Sequence, residues 1–252
     1  MTFEFILLAF ILFAVIATLY STVGHAGASG YLAIMGLLSF APESIKTTSL
    51  ILNSVVAAIA SYKFISNGYF DKRIFIAVII TSVPAAFIAG SLHLKPDYFK
   101  LCAGIFLVLS SVALLTKGFI KQTENQTTKK IPWAAGLSIG GVIGFFSGLI
   151  GVGGGIFLSP IMVLLKWTDI KKVSGISALF IFFNSISGLM GNYKSIYKLD
   201  YTILYWLLAV VIGGIVGSYL GTKKFNNKII LGFLFVVLLS AGIKFVVGFF
   251  SI

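Results

Sequence analysis

The chain has 252 residues, of which 58% are apolar and only 10% are charged, and its formal net charge is +12. A soluble domain carries about a quarter charged residues, so this composition excludes a soluble protein and predicts an all-α polytopic membrane protein. The 19 basic residues fall mostly between apolar runs, where they anchor and orient membrane helices, so we expect a lipid bilayer and no nucleic acid as partner.

The first half of the chain predicts a broken helical hairpin followed by three membrane helices. An apolar run over 3–20 ends in a glycine-rich break, and a short run over 31–40 follows. About 20 residues are needed to cross a bilayer, so the short run is expected to be a half-helix or re-entrant arm. The runs over 45–64, 74–92 and 98–116 are each long enough to cross.

The second half repeats this order after the polar connection at 117–130. A run over 132–150 leads into a second glycine break and a short arm that ends at Lys166. Three further runs follow, at 172–191, 202–221 and 228–250. Together the two halves predict eight to ten traversals of the membrane.

Matching residues recur in the same order in the two halves, at an offset of about 130 residues, which indicates an internal duplication. The matched pairs are Ser21 with Ser147, Asn53-Ser54 with Asn184-Ser185, Phe70-Asp71 with Leu199-Asp200, and Gly90-Ser91 with Gly217-Ser218. We therefore divide the chain into a first repeat (1–117), a cytoplasmic linker (118–131) and a second repeat (132–252).

The distribution of basic residues favours inverted repeats. If each glycine break turns the chain back, each half has five traversals, and the 19 basic residues divide 13 to 6 between the two sides. With four traversals per half they divide 10 to 9, which lacks the asymmetry that the positive-inside rule requires. We therefore expect a protein of the inner (plasma) membrane with both termini outside. Its two glycine hairpins would enter from opposite faces and meet near the midplane.

The second glycine break offers backbone groups to an anion. Gly151, Gly153, Gly154 and Gly155 interrupt an apolar run and should free several N–H groups just before a helix N-terminus, which is a common anion-binding arrangement. The weaker copy at 21–30 contains Gly24 and Gly27. The alternative is close helix packing through small residues, which the spacing of Gly151 and Gly155 also fits.

His25 lies in the first break, where the second copy has Val152. It could donate to an oxyanion or carry a coupled proton near neutral pH. It could equally be a neutral histidine bonded to a carbonyl that the break frees. Apart from Tyr and Cys side chains, we expect it to be the only titratable group deep in the bundle.

Small polar side chains flank both breaks and are candidate neutral donors to substrate oxygens. Within membrane helices such groups more often bond the preceding turn or join helices. The candidates are Ser21, Thr48, Ser49, Asn53, Ser147, Ser174, Ser177 and Asn184.

The acidic residues argue against a cation pump and against an enzyme. All seven fall at segment ends or in loops, so no carboxylate is available inside the membrane for a proton relay or a cation site. The sequence contains no metal-ligand cluster, no nucleotide-binding loop and no nucleophile with an acid–base partner. We expect a protein without catalytic residues, metal or cofactor.

The pattern Gly-x-Gly-Gly-Gly-x-x-x-x-Pro over 151–160 resembles the TauE/SafE family, also called the sulfite exporter or 4-toluene sulfonate uptake permease family. Thr-Thr-Ser-Leu at 47–50 and Ser-Gly-Ile-Ser-Ala-Leu at 174–179 look like its small-hydroxyl motifs. The resemblance covers essentially the whole chain and implies secondary transport of sulfur-containing anions. The first break departs from the pattern, with His25-Ala26 and Ala28-Ser29 in place of glycines.

These observations predict an alternating-access carrier for a small oxyanion such as sulfite, sulfoacetate or another sulfonate, bound between the two hairpins. Proton coupling through His25 and assembly as a homodimer are compatible with this prediction. Two alternatives stay open, an uncoupled anion pore of the same fold and a membrane scaffold that transports nothing.

Overall fold

The computed structural model describes residues 3–119, 130–222 and 227–250. Within these ranges the chain forms ten α-helices and one short 3₁₀ helix, with no strand. Residues 120–129 of the predicted linker at 118–131 lie outside the described residues, as do Lys223 and Lys224 of the charge count.

The helices follow the predicted order in both halves. The first half contains α1 (Phe3–Thr22), α2 (Ala28–Leu37), α3 (Pro42–Ser66), α4 (Lys72–Ser91) and α5 (Pro96–Phe119). The second half contains α6 (Trp133–Ile150), α7 (Gly155–Leu164), α8 (Ile170–Gly191), α9 (Ile203–Thr222) and α10 (Asn227–Phe250). The 3₁₀ helix Tyr193–Lys198, between α8 and α9, was not predicted.

The helices have the length and composition of a multi-pass membrane protein. Among the described residues, seven are long and apolar enough to cross a bilayer, namely α1, α3, α4, α5, α6, α8 and α9. Helices α2 and α7 have ten residues each, which confirms the two predicted short arms.

Aspartates define the starts of two helices, one in each half. The Asp71 carboxylate accepts from the backbone N–H groups of Arg73 (3.0 Å) and Ile74 (3.2 Å), and Asp169 accepts from that of Lys172 (2.9 Å). Each carboxylate satisfies donors that the first turn of a helix leaves free. The structure thus confirms that these two acids lie at segment ends.

The first glycine break turns the chain back along α1. Tyr31 of α2 lies edge-on to Phe13, and Phe40, just after α2, returns to Phe5, with ring centroids 5.7 Å apart in both pairs. Helices α1 and α2 therefore run antiparallel as a hairpin.

Two parallel helix pairs are packed through glycines at every fourth position. On α6 these are Gly136, Gly140, Gly144 and Gly148, which lie against the backbone of α4 from Ala77 to Ala86. On α9 they are Gly213, Gly217 and Gly221, which lie against α1 from Ala14 to Thr22. A side chain at these positions would meet a backbone carbonyl of the partner helix, so glycine is what allows the close approach.

Two other pairs run antiparallel and join equivalent helices of the two halves. Helix α3 crosses α8, with Thr47 bonded to Asn192 (2.9 Å) and Asn53 bonded to Ser185 (2.8 Å). Helix α5 crosses α10, where Gly104 lies against Val246 and Gly242. The α3–α8 and α5–α10 pairs hold the centre of the bundle, and each half also packs its first helix on the fourth helix of the other half.

Adjacent glycines of α6 provide a matched test of this packing. A Cβ at position 140 would meet the carbonyl of Val78, whereas one at position 141 would make ordinary contacts with Thr81 at 3.5 Å or more. We expect Gly140→Ala to reduce the free energy of unfolding by about 1–3 kcal/mol, because the helices must separate. Gly141→Ala should change it by less than about 0.5 kcal/mol.

Thermal or denaturant unfolding of the two variants in the same detergent measures the difference. Equal stability of the Gly140→Ala and Gly141→Ala proteins would show that glycine packing does not hold α4 against α6.

Candidate functional site

The two glycine breaks have matching backbone conformations. Gly24 (φ +76°) and Gly151 (φ +89°) end the first helix of each hairpin. Gly27 (φ +100°) and Gly154 (φ +77°) precede the short helices α2 and α7. These left-handed conformations strain any residue with a side chain, so the local structure requires glycine at all four positions.

Two side chains of α3 connect the breaks. The Ser49 hydroxyl lies within hydrogen-bonding distance of the carbonyls of Ala28 (3.3 Å) and Gly151 (2.8 Å). The Asn53 carboxamide accepts from the Ala28 N–H (3.1 Å) and donates to the Val152 carbonyl (3.4 Å). The structure thus brings both breaks to the same two residues.

The equivalent asparagine of the second half makes different bonds. Asn184 accepts from the Ser82 hydroxyl (2.6 Å) and donates to the Phe180 carbonyl (2.8 Å), so it does not reach the start of α7. The N–H groups of Gly155 and Ile156, the first of α7, have no acceptor among the described residues. At the start of α2, Asn53 accepts from the first N–H, and those of Ser29 and Gly30 have no acceptor among the described residues. At the start of α7 no side chain among the described residues accepts from the first N–H.

A matched pair of serines has unused hydroxyls. Ser21 and Ser147 are fully buried, and neither hydroxyl has a hydrogen-bond partner among the described residues. The Cβ of Ser147 lies 3.3 Å from the position that a Cβ of Gly154 would occupy. The Ser147 hydroxyl is therefore an additional unused donor beside the start of α7.

His25 joins the first break to α7 and α8 through two hydroxyls. Its Nε2 lies 3.1 Å from the Ser159 Oγ, which lies 2.7 Å from the Ser177 Oγ. Nearby, Ser174 donates to the Val23 carbonyl (3.1 Å) and packs against Gly24. Three predicted site residues, His25, Ser174 and Ser177, thus lie together on this side of the bundle.

The charge inside the bundle differs from the prediction in one respect. Lys46 is buried, with 8% of its surface exposed. The prediction that His25 is the only titratable group in the bundle besides Tyr and Cys side chains is therefore wrong. The Lys46 amine donates to the carbonyls of Gly90 (2.9 Å) and Leu92 (3.2 Å) at the end of α4. An amine at a helix C-terminus complements its partial negative charge, which explains how a lysine is accommodated here.

No carboxylate is buried among the described residues, and none of their acidic and sulfur side chains form a group that could hold a metal ion. The described interior thus contains the ammonium group of Lys46 and the imidazole of His25, and no carboxylate among the described residues is buried with them. Such an interior favours a negatively charged guest.

The glycines of the second break are also crowded, as the packing alternative requires. A Cβ at Gly153 would meet the Asn53 amide, and one at Gly155 would meet the Ile181 side chain. Close packing and free N–H groups therefore occur together at this break.

Several contributors to this region were not predicted. Ser159 follows Gly155 by one helical turn, a spacing that could have identified it. Ser185, which accepts from Asn53, belongs to one of the matched pairs, whereas Ser82, which donates to Asn184, carries no comparable signal. Thr48 is buried as expected, and Gly27 packs against the Tyr31 ring.

Comparison with known proteins gives a consistent picture. The family model described as Sulfite exporter TauE/SafE matches residues 8–245. The probable membrane transporter protein y4hK of Sinorhizobium fredii is 36% identical over 93% of this chain and 95% of its own length. The probable membrane transporter protein YunE of Bacillus subtilis is 25% identical over 97% of this chain and 100% of its own. No solved structure matches the chain significantly.

Proposed function

The chain belongs to the Sulfite exporter TauE/SafE family, and from that membership we propose that it is a secondary transporter of a small sulfur-containing anion. The proposed substrates are sulfite, sulfoacetate or another organosulfonate, moved by alternating access. The relatives are named as probable membrane transporters, and the residues of this chain support an anion as cargo.

The proposal that the substrate is an anion rests on the charge of the described interior. Lys46 and His25 are buried there and no carboxylate is. A transporter of inorganic or organic cations would need acidic ligands within the bundle, because an uncompensated cation in a low-dielectric interior is strongly destabilised. The arrangement found here instead stabilises an anion.

The proposed binding position is the start of α7. Substrate oxygens would accept from the N–H groups of Gly155 and Ile156 and from the hydroxyl of Ser147, all of which lack acceptors among the described residues. The N-terminus of a helix also carries partial positive charge, which favours an oxyanion there. Ser177 on α8 flanks this position, since its carbonyl lies 3.3 Å from where a Cβ of Gly155 would stand.

We further propose that the two halves are inverted repeats. Antiparallel contact between equivalent helices, α3 with α8 and α5 with α10, supports this relation. Four crossings per half would make equivalent helices parallel, whereas five make them antiparallel. The hairpin formed by α1 and α2 accounts for the additional crossing.

Burial of both breaks supports a carrier over an open pore. From Gly24 to Gly27 and from Gly151 to Ile156 every residue is buried. An anion must therefore enter through a conformational change, which is a property of alternating access. Because the glycines of the second break are also closely packed, a membrane scaffold that transports nothing is the second alternative.

Anion-dependent stability tests the binding position directly. A ligand present at about 100 times its dissociation constant adds about 2.7 kcal/mol to the free energy of unfolding. Thermal unfolding of the purified protein with sulfite, thiosulfate, sulfoacetate, taurine, sulfate, acetate and chloride should show stabilisation by sulfite or a sulfonate. In Gly154→Ala this stabilisation should be lost, because the new Cβ strains the start of α7 and would lie within 3.3 Å of Ser147.

Gly68→Ala is the matched control, because Gly68 has the same left-handed backbone (φ +79°) with no atom within 4 Å of the new Cβ. It introduces the same backbone strain without the steric contacts of Gly154→Ala, so it should lose less stability and keep the full anion response. Stabilisation by no anion, or an unaltered response in a folded Gly154→Ala protein, would contradict the proposed site.

Counterflow separates the carrier from a pore. Proteoliposomes loaded with the unlabelled stabilising anion should accumulate the labelled anion transiently above its equilibrium level, because a carrier exchanges bound substrate at each reorientation. Uptake that rises only to equilibrium would favour the pore, and absence of flux in a protein that binds anions would favour the scaffold.

Cysteine labelling tests the proposed orientation, in which the termini lie outside. In a Cys102→Ala background, the exposed loops after α3 and α4 are marked by Asn67→Cys and His93→Cys. An impermeant maleimide should modify the His93→Cys protein in intact cells and the Asn67→Cys protein only after permeabilisation, as the excess of basic residues near residue 67 requires. The reverse pattern would invert the topology.

A further inference from the structure

We propose that the chain of groups His25–Ser159–Ser177 is a proton-controlled donor that couples protonation of His25 to anion binding at the start of α7. This inference rests on the proposed anion site and adds a coupling ion, the proton, with the group that carries it. It is carried by the geometry of three side chains from the first break, α7 and α8.

The three groups form a continuous path between the two breaks. The Ser159 hydroxyl lies 3.1 Å from the His25 Nε2 and 2.7 Å from the Ser177 hydroxyl, and all three side chains are buried. Ser177 lies on α8 beside Gly155, the first residue of α7. One end of the path is therefore a titratable ring, and the other end adjoins the proposed position of the anion.

Each hydroxyl has a single proton and two acceptor lone pairs, so Ser159 can donate to only one of its two neighbours. A neutral imidazole can accept or donate at Nε2, so Ser159 can donate to it. An imidazolium can only donate, so Ser159 then accepts from His25, and its own proton becomes available to Ser177. The Ser177 proton is released to point onward, toward an anion.

The coupling therefore has a defined sign. Protonation of His25 fixes Ser177 as a donor and adds positive charge to the region, and both effects strengthen anion binding. By linkage, anion binding must increase proton affinity at His25 to the same degree. The anion and a proton are thus taken up together at one site, which is the requirement for symport.

Among the contacts of the described residues, the ionisable groups near His25 are the phenols of Tyr20, with ring centroids 6.5 Å apart, and Tyr31, which donates to the Ala26 carbonyl. Ser159 and Ser177 face it from α7 and α8, and the charged Lys46 of α3 lies against Gly151 in the other break. Phenols remain protonated near neutral pH, where imidazole changes charge.

The binding of thiosulfate and methanesulfonate tests the proposal, because both stay fully ionised over the pH range used. For the purified full-length protein, the dissociation constant should rise at least about fivefold between about pH 5.5 and about pH 8.5. His25→Gln keeps a polar side chain but cannot be protonated, so its dissociation constant should be independent of pH. Ser159→Ala keeps both ends of the path but interrupts it, so its dissociation constant should depend on pH less steeply, through the charge of His25 alone.

Ser61→Ala is the matched control, since Ser61 is a buried serine whose hydroxyl bonds only the preceding turn at Ala57 (2.6 Å). It should retain the pH dependence of the unmodified protein. A second readout uses the fact that the chain has two histidines. In a His93→Gln background, NMR titration of the remaining ring should shift to higher pH when methanesulfonate is added, and should shift less when Ser159→Ala is combined with it.

Each possible result of these experiments tests a separate part of the proposal. Persistent pH dependence in His25→Gln would assign the proton to another group, and an undiminished pH dependence in Ser159→Ala would exclude the hydroxyl path; either overturns the proposal. Anion binding that is independent of pH in the unmodified protein would overturn the coupling and leave the anion site intact. Absence of binding by any anion at any pH would overturn the proposed function, and this inference with it.

Discussion

The structure depends on a constraint that the bilayer imposes on broken helices. A helix that ends inside the membrane leaves N–H and carbonyl groups that water cannot satisfy, so protein groups must bond them or a bound ligand must. Ser49 and Asn53 of α3 meet this requirement for carbonyls of both breaks and for the first N–H of α2. Because one helix serves both breaks, the hairpins are held at a fixed relation to each other.

The two halves have similar backbone conformations at their glycine breaks but differ in the side chains around them. Both breaks contain left-handed glycines at equivalent positions, yet Asn53 caps a short helix and Asn184 does not. His25 likewise has Val152 as its counterpart. The first break is therefore capped by Asn53 and carries the titratable ring, whereas the first N–H of α7 has no side-chain cap among the described residues.

Much of this arrangement was predictable, because hydropathy and glycine content are properties of single segments. They identified the helices, both short arms and the location of both breaks. Lateral contacts were harder to predict, since which helices touch depends on the shapes of two surfaces. The glycines at every fourth position of α6 and α9 were visible in the sequence, but their partners α4 and α1 were not.

The same distinction applies to the side chains: those that depend on one segment were predictable, and those that depend on contacts between segments were not. Ser49 and Asn53 were identified because they flank a break, while Ser82 was missed because only the fold brings it to Asn184. Lys46 was misjudged because a lysine at the end of an apolar run normally reaches the membrane surface. Here the end of α4 provides carbonyls nearer than the surface.

The packing of the first helix of each half against the fourth helix of the other has a consequence for biosynthesis. Helix α1 is synthesised long before α9, the glycine-lined partner that covers one of its faces. Until α9 has been synthesised, α1 must reside in lipid with that face unoccupied. Assembly is therefore a late, post-insertion event of high contact order, in which lateral diffusion brings together helices synthesised far apart in time.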